Sequence, residues 1–172
     1  MLRLLPLLLA TAALTAHAAP TPASPPVRLH GLWLMNTGPA GEAAKVSSFH
    51  LCVGKQGTDD VLAYPGSPLA NCREQQWSKD AHYTYYRAVC DARGSNAQVE
   101  ARFAGDFQYN FHGEVTTTYS PALEGQTVAK REIDGRRLSP CRAETPEGKF
   151  LVKGQEGVGN LNLGEPIRQP AR

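Results

Sequence analysis

The strongest pattern in the chain is an alternation of apolar and polar positions between residues 97 and 119. Ala97, Val99, Ala101 and Phe103 alternate with Gln98, Glu100 and Arg102. After Gly105-Asp106 the odd positions Phe107, Tyr109, Phe111, Val115, Thr117 and Tyr119 run against the even positions Gln108, Asn110, His112, Glu114, Thr116 and Thr118. A period of two belongs to a strand with one face in a core and the other in water. Gly105-Asp106 is predicted to form a two-residue type II′ hairpin turn, with glycine supplying the positive φ. Gly113, in mid-run, is expected at a bulge or bend. The segments just before read the same way: Cys72 to Trp77 and Tyr83 to Cys90 are rich in aromatics, Thr and Val, with Ser78-Lys79-Asp80-Ala81 as a polar turn between them. The stretch from Asn71 to Tyr119 is therefore a four-strand antiparallel meander around which the rest is arranged.

Weaker patterns extend it on both sides. Leu29 to Asn36 is a strand anchored by Trp33, with Gly31 at a bulge or close approach, and Thr37 to Gly41 is a loop. Lys45 to Val53 is a second strand, with Phe49, Leu51 and Val53 on one face and Ser48, His50 and Cys52 on the other. Thr58 caps one helical turn, Asp59 and Asp60 sit at its positive end, and Pro65-Gly66 stops it. Past the meander, Pro121 to Gly125 is a turn and Thr127 to Ile133 a strand with Lys130 and Glu132 towards water. Asp134-Gly135 is a tight turn, and Arg136 to Cys141 a short closing strand. The fold class is all-β: an antiparallel meander of about eight short strands, curled into a half-open barrel or a sandwich. Residues 19–28 form a Pro-rich leader and 29–141 a single domain. Residues 142–172 are expected to be mostly disordered, with Phe150-Leu151-Val152 docking back.

The first 18 residues read differently. One arginine, an apolar stretch from Leu4 to Leu14 and then Ala16-His17-Ala18 make a Sec-type signal peptide with a cut predicted after Ala18. The apolar part is too short to span a bilayer as a helix. The expected location is the periplasm. Removing Arg3 with that segment lowers the formal charge from +2 to +1, a balance that favours neither nucleic acid nor an anionic membrane as partner.

Cys52, Cys72, Cys90 and Cys141 all lie beyond the predicted cut, and an even count in an exported chain points to two disulfides. Four cysteines allow three pairings. Folding the chain near Ala81 sets Cys72 opposite Cys90, which leaves Cys52 for Cys141. In a chain-entropy model each bridge contributes roughly 3–4 kcal/mol, more for the longer loop.

A family resemblance can be placed on these residues. Gly31-Leu32-Trp33, Cys52-Val53, Cys72, Cys90 ahead of the meander, and Gly135-Arg136-Arg137-Leu138 before Cys141 together resemble the DUF 3617 family (domain of unknown function), small exported proteobacterial proteins with four cysteines. The likeness runs from Leu29 to Cys141. It implies an all-β periplasmic protein with structural cysteines, and it brings no catalytic residue and no ligand.

Candidate chemistry is sparse. The histidines of the mature chain, His30, His50, His82 and His112, lack metal-ligand spacing, and His50 shares a strand face with a cysteine that an oxidising compartment assigns to a bridge. There is no G-x-S-x-G elbow and no C-x-x-C. No catalytic, metal or cofactor site is therefore assigned. A dispersed enzyme site of His50, His112 and Glu114 is the alternative, with a purely structural envelope protein as a third reading. Arg136 and Arg137, beside Lys130 and Arg131, form a basic cluster suited to an acidic group or to guarding an edge strand. Trp77, Tyr83 and Tyr85 belong to a surplus of aromatics that one buried face does not need, and they mark a contact for a small apolar ligand or an envelope protein. The sequence thus favours a non-enzymatic exported binding protein.

Overall fold

The computed structural model describes residues 19–55, 60–141, 147–148 and 150–151. The predicted signal segment, Thr58, Asp59, Val152 and most of the C-terminal tail lie outside the described residues. The strands are β1 (Thr21–Pro22), β2 (Gly31–Pro39), β3 (Ser47–Val53), β4 (Leu69–Lys79), β5 (Thr84–Ala92), β6 (Ser95–Gly105), β7 (Asn110–Leu123), β8 (Gln126–Ser139) and β9 (Phe150–Leu151). They form one antiparallel sheet in the order β1-β4-β5-β6-β7-β8-β2-β3-β9. The sheet does not close: β1 and β9 are its two edges. Of the two expected architectures, the half-open barrel stands and the sandwich is excluded, since the described strands all belong to one sheet. The N-terminal hairpin β2–β3 completes it by lying beside β8.

The alternation read from the sequence builds the core. Val99, Phe103, Phe111, Val115 and Ile133 share the inner face with Tyr86, Trp33, Met35 and Phe49, all nearly or fully buried. The rings of Phe103, Phe107 and Phe111 lie 5.0–6.2 Å apart, and Trp33 stands 6.0 Å from Phe111. From the β3–β4 connection Val61 reaches this core, and Leu62 and Tyr64 pack against it. That connection covers one end of the inner face. At the other end Arg28 is buried, its guanidinium 5.6 Å from the Trp33 ring and 5.7 Å from that of Phe111. The leader is part of this structure as well, because Thr21–Pro22 pairs with Lys79 and Ser78 of β4.

Both predicted disulfides are present, Cys72–Cys90 and Cys52–Cys141. Cys72 sits in a bulge of β4, where Asn71 takes a left-handed φ of 48° and two residues face one on β5. A second bulge follows at Glu74, also left-handed. Cys52–Cys141 spans 89 residues and ties β3 to the end of β8. In the chain-entropy model a loop of that length is worth about 4–5 kcal/mol, against about 3 for the shorter bridge.

Several local expectations are corrected. Asp134-Gly135 is not a turn, since β8 runs unbroken through it and pairs with both β7 and β2. Glycine is needed there because a Cβ would run into the Phe111 ring. Gly113 makes no bulge either: it stays in register between Phe103 and Ile133, and a Cβ would come within 2.6 Å of the Phe103 ring. Gly105-Asp106 is not a two-residue turn. The Asp106 carboxylate accepts the N–H groups of Gln108, Tyr109 and Asn110, and this extends the loop over residues 106–109. In consequence Phe107 turns into the core with a φ of 56° while Tyr109 stays 64% exposed, which breaks the predicted odd-position series. The preceding turn also lies further on than expected, at residues 80–83, because Asp80 Oδ1 accepts the N–H groups of His82 and Tyr83, both at 2.7 Å. Between Lys55 and Pro65 the described residues form turns, not a helix, and a short 3-10 turn stands instead at Ala43–Lys45.

Candidate functional site

Two recesses on opposite faces of the sheet bear on function. The outer one is a groove of about 750 Å³ across β1, β4, β5, β6 and β7. Strand alternation decides which side chains line it: Gln76 and Ser78, Tyr85 and Arg87, Glu100 and Arg102, Glu114 and Thr116 fall on one face. Pro20 and Pro22 of the leader form its rim. Ion pairs cross the floor, Arg87 to Glu100 at 3.3 Å and Arg102 to both Glu114 oxygens at 3.0 and 2.8 Å. The Glu114 carboxylate holds the Arg102 guanidinium above its usual pKa. The Tyr83 ring lies under that guanidinium at 4.7 Å.

Of the aromatics singled out by sequence, Tyr83 and Tyr85 share this outer face, 6.2 Å apart. The Tyr85 hydroxyl donates to Asp80 Oδ2 at 2.7 Å, and that bond pushes the phenol up. The same carboxylate is lowered, first by the His82 N–H and then by Tyr85. Trp77 turns the other way. Its ring packs tilted against Tyr86 at 4.6 Å and stacks on Phe103 at 6.0 Å, towards the core. Burial pushes the Tyr86 phenol up to about 12.

The basic residues are not one cluster. With no turn at Asp134-Gly135, Lys130 and Arg136 are six positions apart on a single strand, about 20 Å. Neighbours on a strand also face opposite sides. Arg136 lines a shallow outer recess with Leu34, Asn110 and His112, while Arg137 donates from Nε to the His30 carbonyl at 2.9 Å.

The inner recess involves residues that the sequence reading did not join. The β3–β4 connection lies over the inner face of β7 and β8 and leaves a cavity of about 220 Å³. Leu62 and Tyr64 come from the connection, Val115, Tyr119 and Leu123 from β7, and Arg131 and Ile133 from β8. Burial raises the Tyr119 phenol above its usual pKa. One signal was available: once Lys130 and Glu132 point to water, Arg131 must face inward beside Ile133.

Of the residues of the alternative enzyme site, His112 and Glu114 share the outer face of β7, each with its own partner, and His50 is held apart from them. His112 Nδ1 lies 2.8 Å from Asp134 Oδ1, and Glu114 is engaged by Arg102. His50 is three strands away from β7, about 14 Å. Among the described residues no three His, Cys, Asp or Glu side chains gather where they could hold a metal ion. None of the described helices is long and apolar enough to cross a membrane.

These features define a disulfide-linked, open antiparallel β-sheet protein of a non-reducing environment, with recesses on both faces. No family model, curated protein or solved structure matches the chain.

Proposed function

We propose that the chain is an exported periplasmic protein of the DUF 3617 type that binds a small apolar molecule in the mouth of its half-open barrel and does no chemistry on it. One observation carries the reading: the cavity of about 220 Å³ between the β3–β4 connection and the inner face of β7 and β8. Hydrocarbon side chains such as Leu62, Val115 and Ile133 share its wall with polar ones such as Tyr64, Tyr119 and Arg131, and the mouth of a barrel is a usual place for a small-molecule site. The distance of His50 from His112 and Glu114, and the engagement of those two by Asp134 and Arg102, speak against the dispersed enzyme. The apolar run before Ala16-His17-Ala18 and the oxidised cysteines support export.

Native mass spectrometry of the protein recovered from the periplasm without reductant tests this. The expected result is an added mass that leaves on unfolding, or that appears when 1-octanol is supplied. The unfolded chain should begin at Ala19 and lack four hydrogens for its two disulfides. A mass that stays bare with 1-octanol present would overturn the binding reading, and an intact Met1 would overturn export by cleavage. A second reading, an envelope-protein partner, rests on the outer groove, whose crossed ion pairs and half-buried Tyr85 suit a polar protein surface. Crosslinking in cells from position 85 would capture that partner.

A further inference from the structure

We infer that the molecule bound in the inner cavity carries a single negative charge at one end of an apolar body, as a medium-chain carboxylate does, and that Arg131 recognises the charge. This rests on the reading of the barrel mouth as the ligand site. Five walls of that cavity, Leu62, Val115, Leu123, Ala129 and Ile133, offer nothing but hydrocarbon. Of the two cations in the lining, Arg93 and Arg131, it is Arg131 that stands on the inner face of β8, two positions from Ile133, which is 2% exposed.

The partners of Arg131 are weak. One Nη1–H reaches Thr37 Oγ1 at 3.4 Å, and the Tyr64 ring lies 4.5 Å from the guanidinium carbon. Thr37 Oγ1 in turn donates to the Glu132 carbonyl at 3.0 Å, so the contact with Arg131 occupies its lone pair without adding charge. No carboxylate faces Arg131 among the described residues. By contrast Arg73, Arg87, Arg93 and Arg102 each meet one: Asp91, Glu100, Glu124 and Glu114. Glu124, the acid at the cavity rim, is taken by Arg93 at 2.7 Å.

A guanidinium has five N–H donors in a planar fork, and a carboxylate fits two of them at once. Held partly buried without a counter-ion, beside the hydrocarbon side chains of Val115 and Ile133, it gains most from an anion that brings its own apolar tail. The Tyr64 ring lies against one side of the guanidinium, which leaves N–H groups of the fork for the incoming oxygens. The size limits the tail. About 220 Å³ is below the range of roughly 300–1,000 Å³ for drug-sized ligands, so the acid is short and a whole phospholipid is not accommodated.

Titration calorimetry of the disulfide-intact protein with octanoate, 1-octanol and octylammonium at neutral pH separates the possibilities. Octanoate should bind at least about tenfold more tightly than 1-octanol, and octylammonium should not bind detectably. Arg131→Gln should abolish that preference, so that octanoate binds no more tightly than 1-octanol, and Arg131→Lys should keep part of it. Ala129→Trp should block both ligands. Equal binding of octanoate and 1-octanol would overturn the charge assignment and leave the ligand site standing. No binding of either would overturn the site itself. An octanoate preference that survives Arg131→Gln would remove Arg131 as its cause. If Arg131→Gln melts early, Arg131→Met, which keeps an unbranched side chain at that position, makes the same test.

Discussion

On the inner face of the sheet rings pack on rings, with glycines beneath them, while on the outer face the same strands set arginines opposite carboxylates. Phe103 and Phe111 show the first arrangement, each lying over a glycine of the neighbouring strand, Gly113 and Gly135. Arg102 and Glu114, directly opposite in register on β6 and β7, show the second. Inside, fit is steric and intolerant of an added methyl group. Outside, the pairs sit in water with about half of each side chain exposed. An open sheet cannot bury both faces, so it concentrates its free energy on one and keeps the other soluble and adaptable.

The largest way to break the comparison is on the inner side. Phe103→Ala removes a ring that touches Trp77, Phe107 and Phe111, and it should cost about 3–5 kcal/mol, read as a lower urea midpoint at unchanged slope. Tyr85→Ala, a ring of similar size on the outer face, should cost well under half of that. Equal losses would mean that the two faces are not energetically distinct. Next in size is Gly135→Ala. Its new methyl group would meet the Phe111 ring within an unbroken strand, and the expected cost is about 1–3 kcal/mol. If Gly135 served as a flexible turn residue instead, alanine there would shift the midpoint by only a few tenths.

That substitution also shows where sequence reading reached its limit. The alternation of residues 97–103 passed directly into β6, and hairpin geometry placed Cys72 by Cys90, because both depend on local period and reach. Asp134-Gly135 has the local chemistry of a turn, yet the residue that decides its role is Phe111, one strand away. Local propensity was outweighed by a tertiary contact that has no signature in the neighbouring sequence. Asp106 misled in the opposite direction, since its carboxylate organises a longer loop than glycine alone suggested. Of the candidate site, Tyr83 and Tyr85 were visible as excess aromatics, whereas the pairing of Arg131 with Tyr64 joins segments 67 positions apart and depends on how the β3–β4 connection crosses the inner face.

The smallest effect is the sharpest probe of the outer face. A double-mutant cycle of Arg102→Ala and Glu114→Ala isolates the pair from whatever each side chain does alone. The side chains are 45% and 53% exposed, so water and salt screen them, and the coupling should fall between about 0.2 and 1 kcal/mol in dilute buffer. It should shrink further in 1 M salt, where the screening length is about 3 Å. Arg102→Ala alone has a second consequence, because the Tyr83 ring loses the guanidinium stacked at 4.7 Å and the groove loses its central cation. A coupling above about 2 kcal/mol that ignores salt would mean that the groove is dry and rigid, and the contrast between the faces would then be one of chemistry and not of stability.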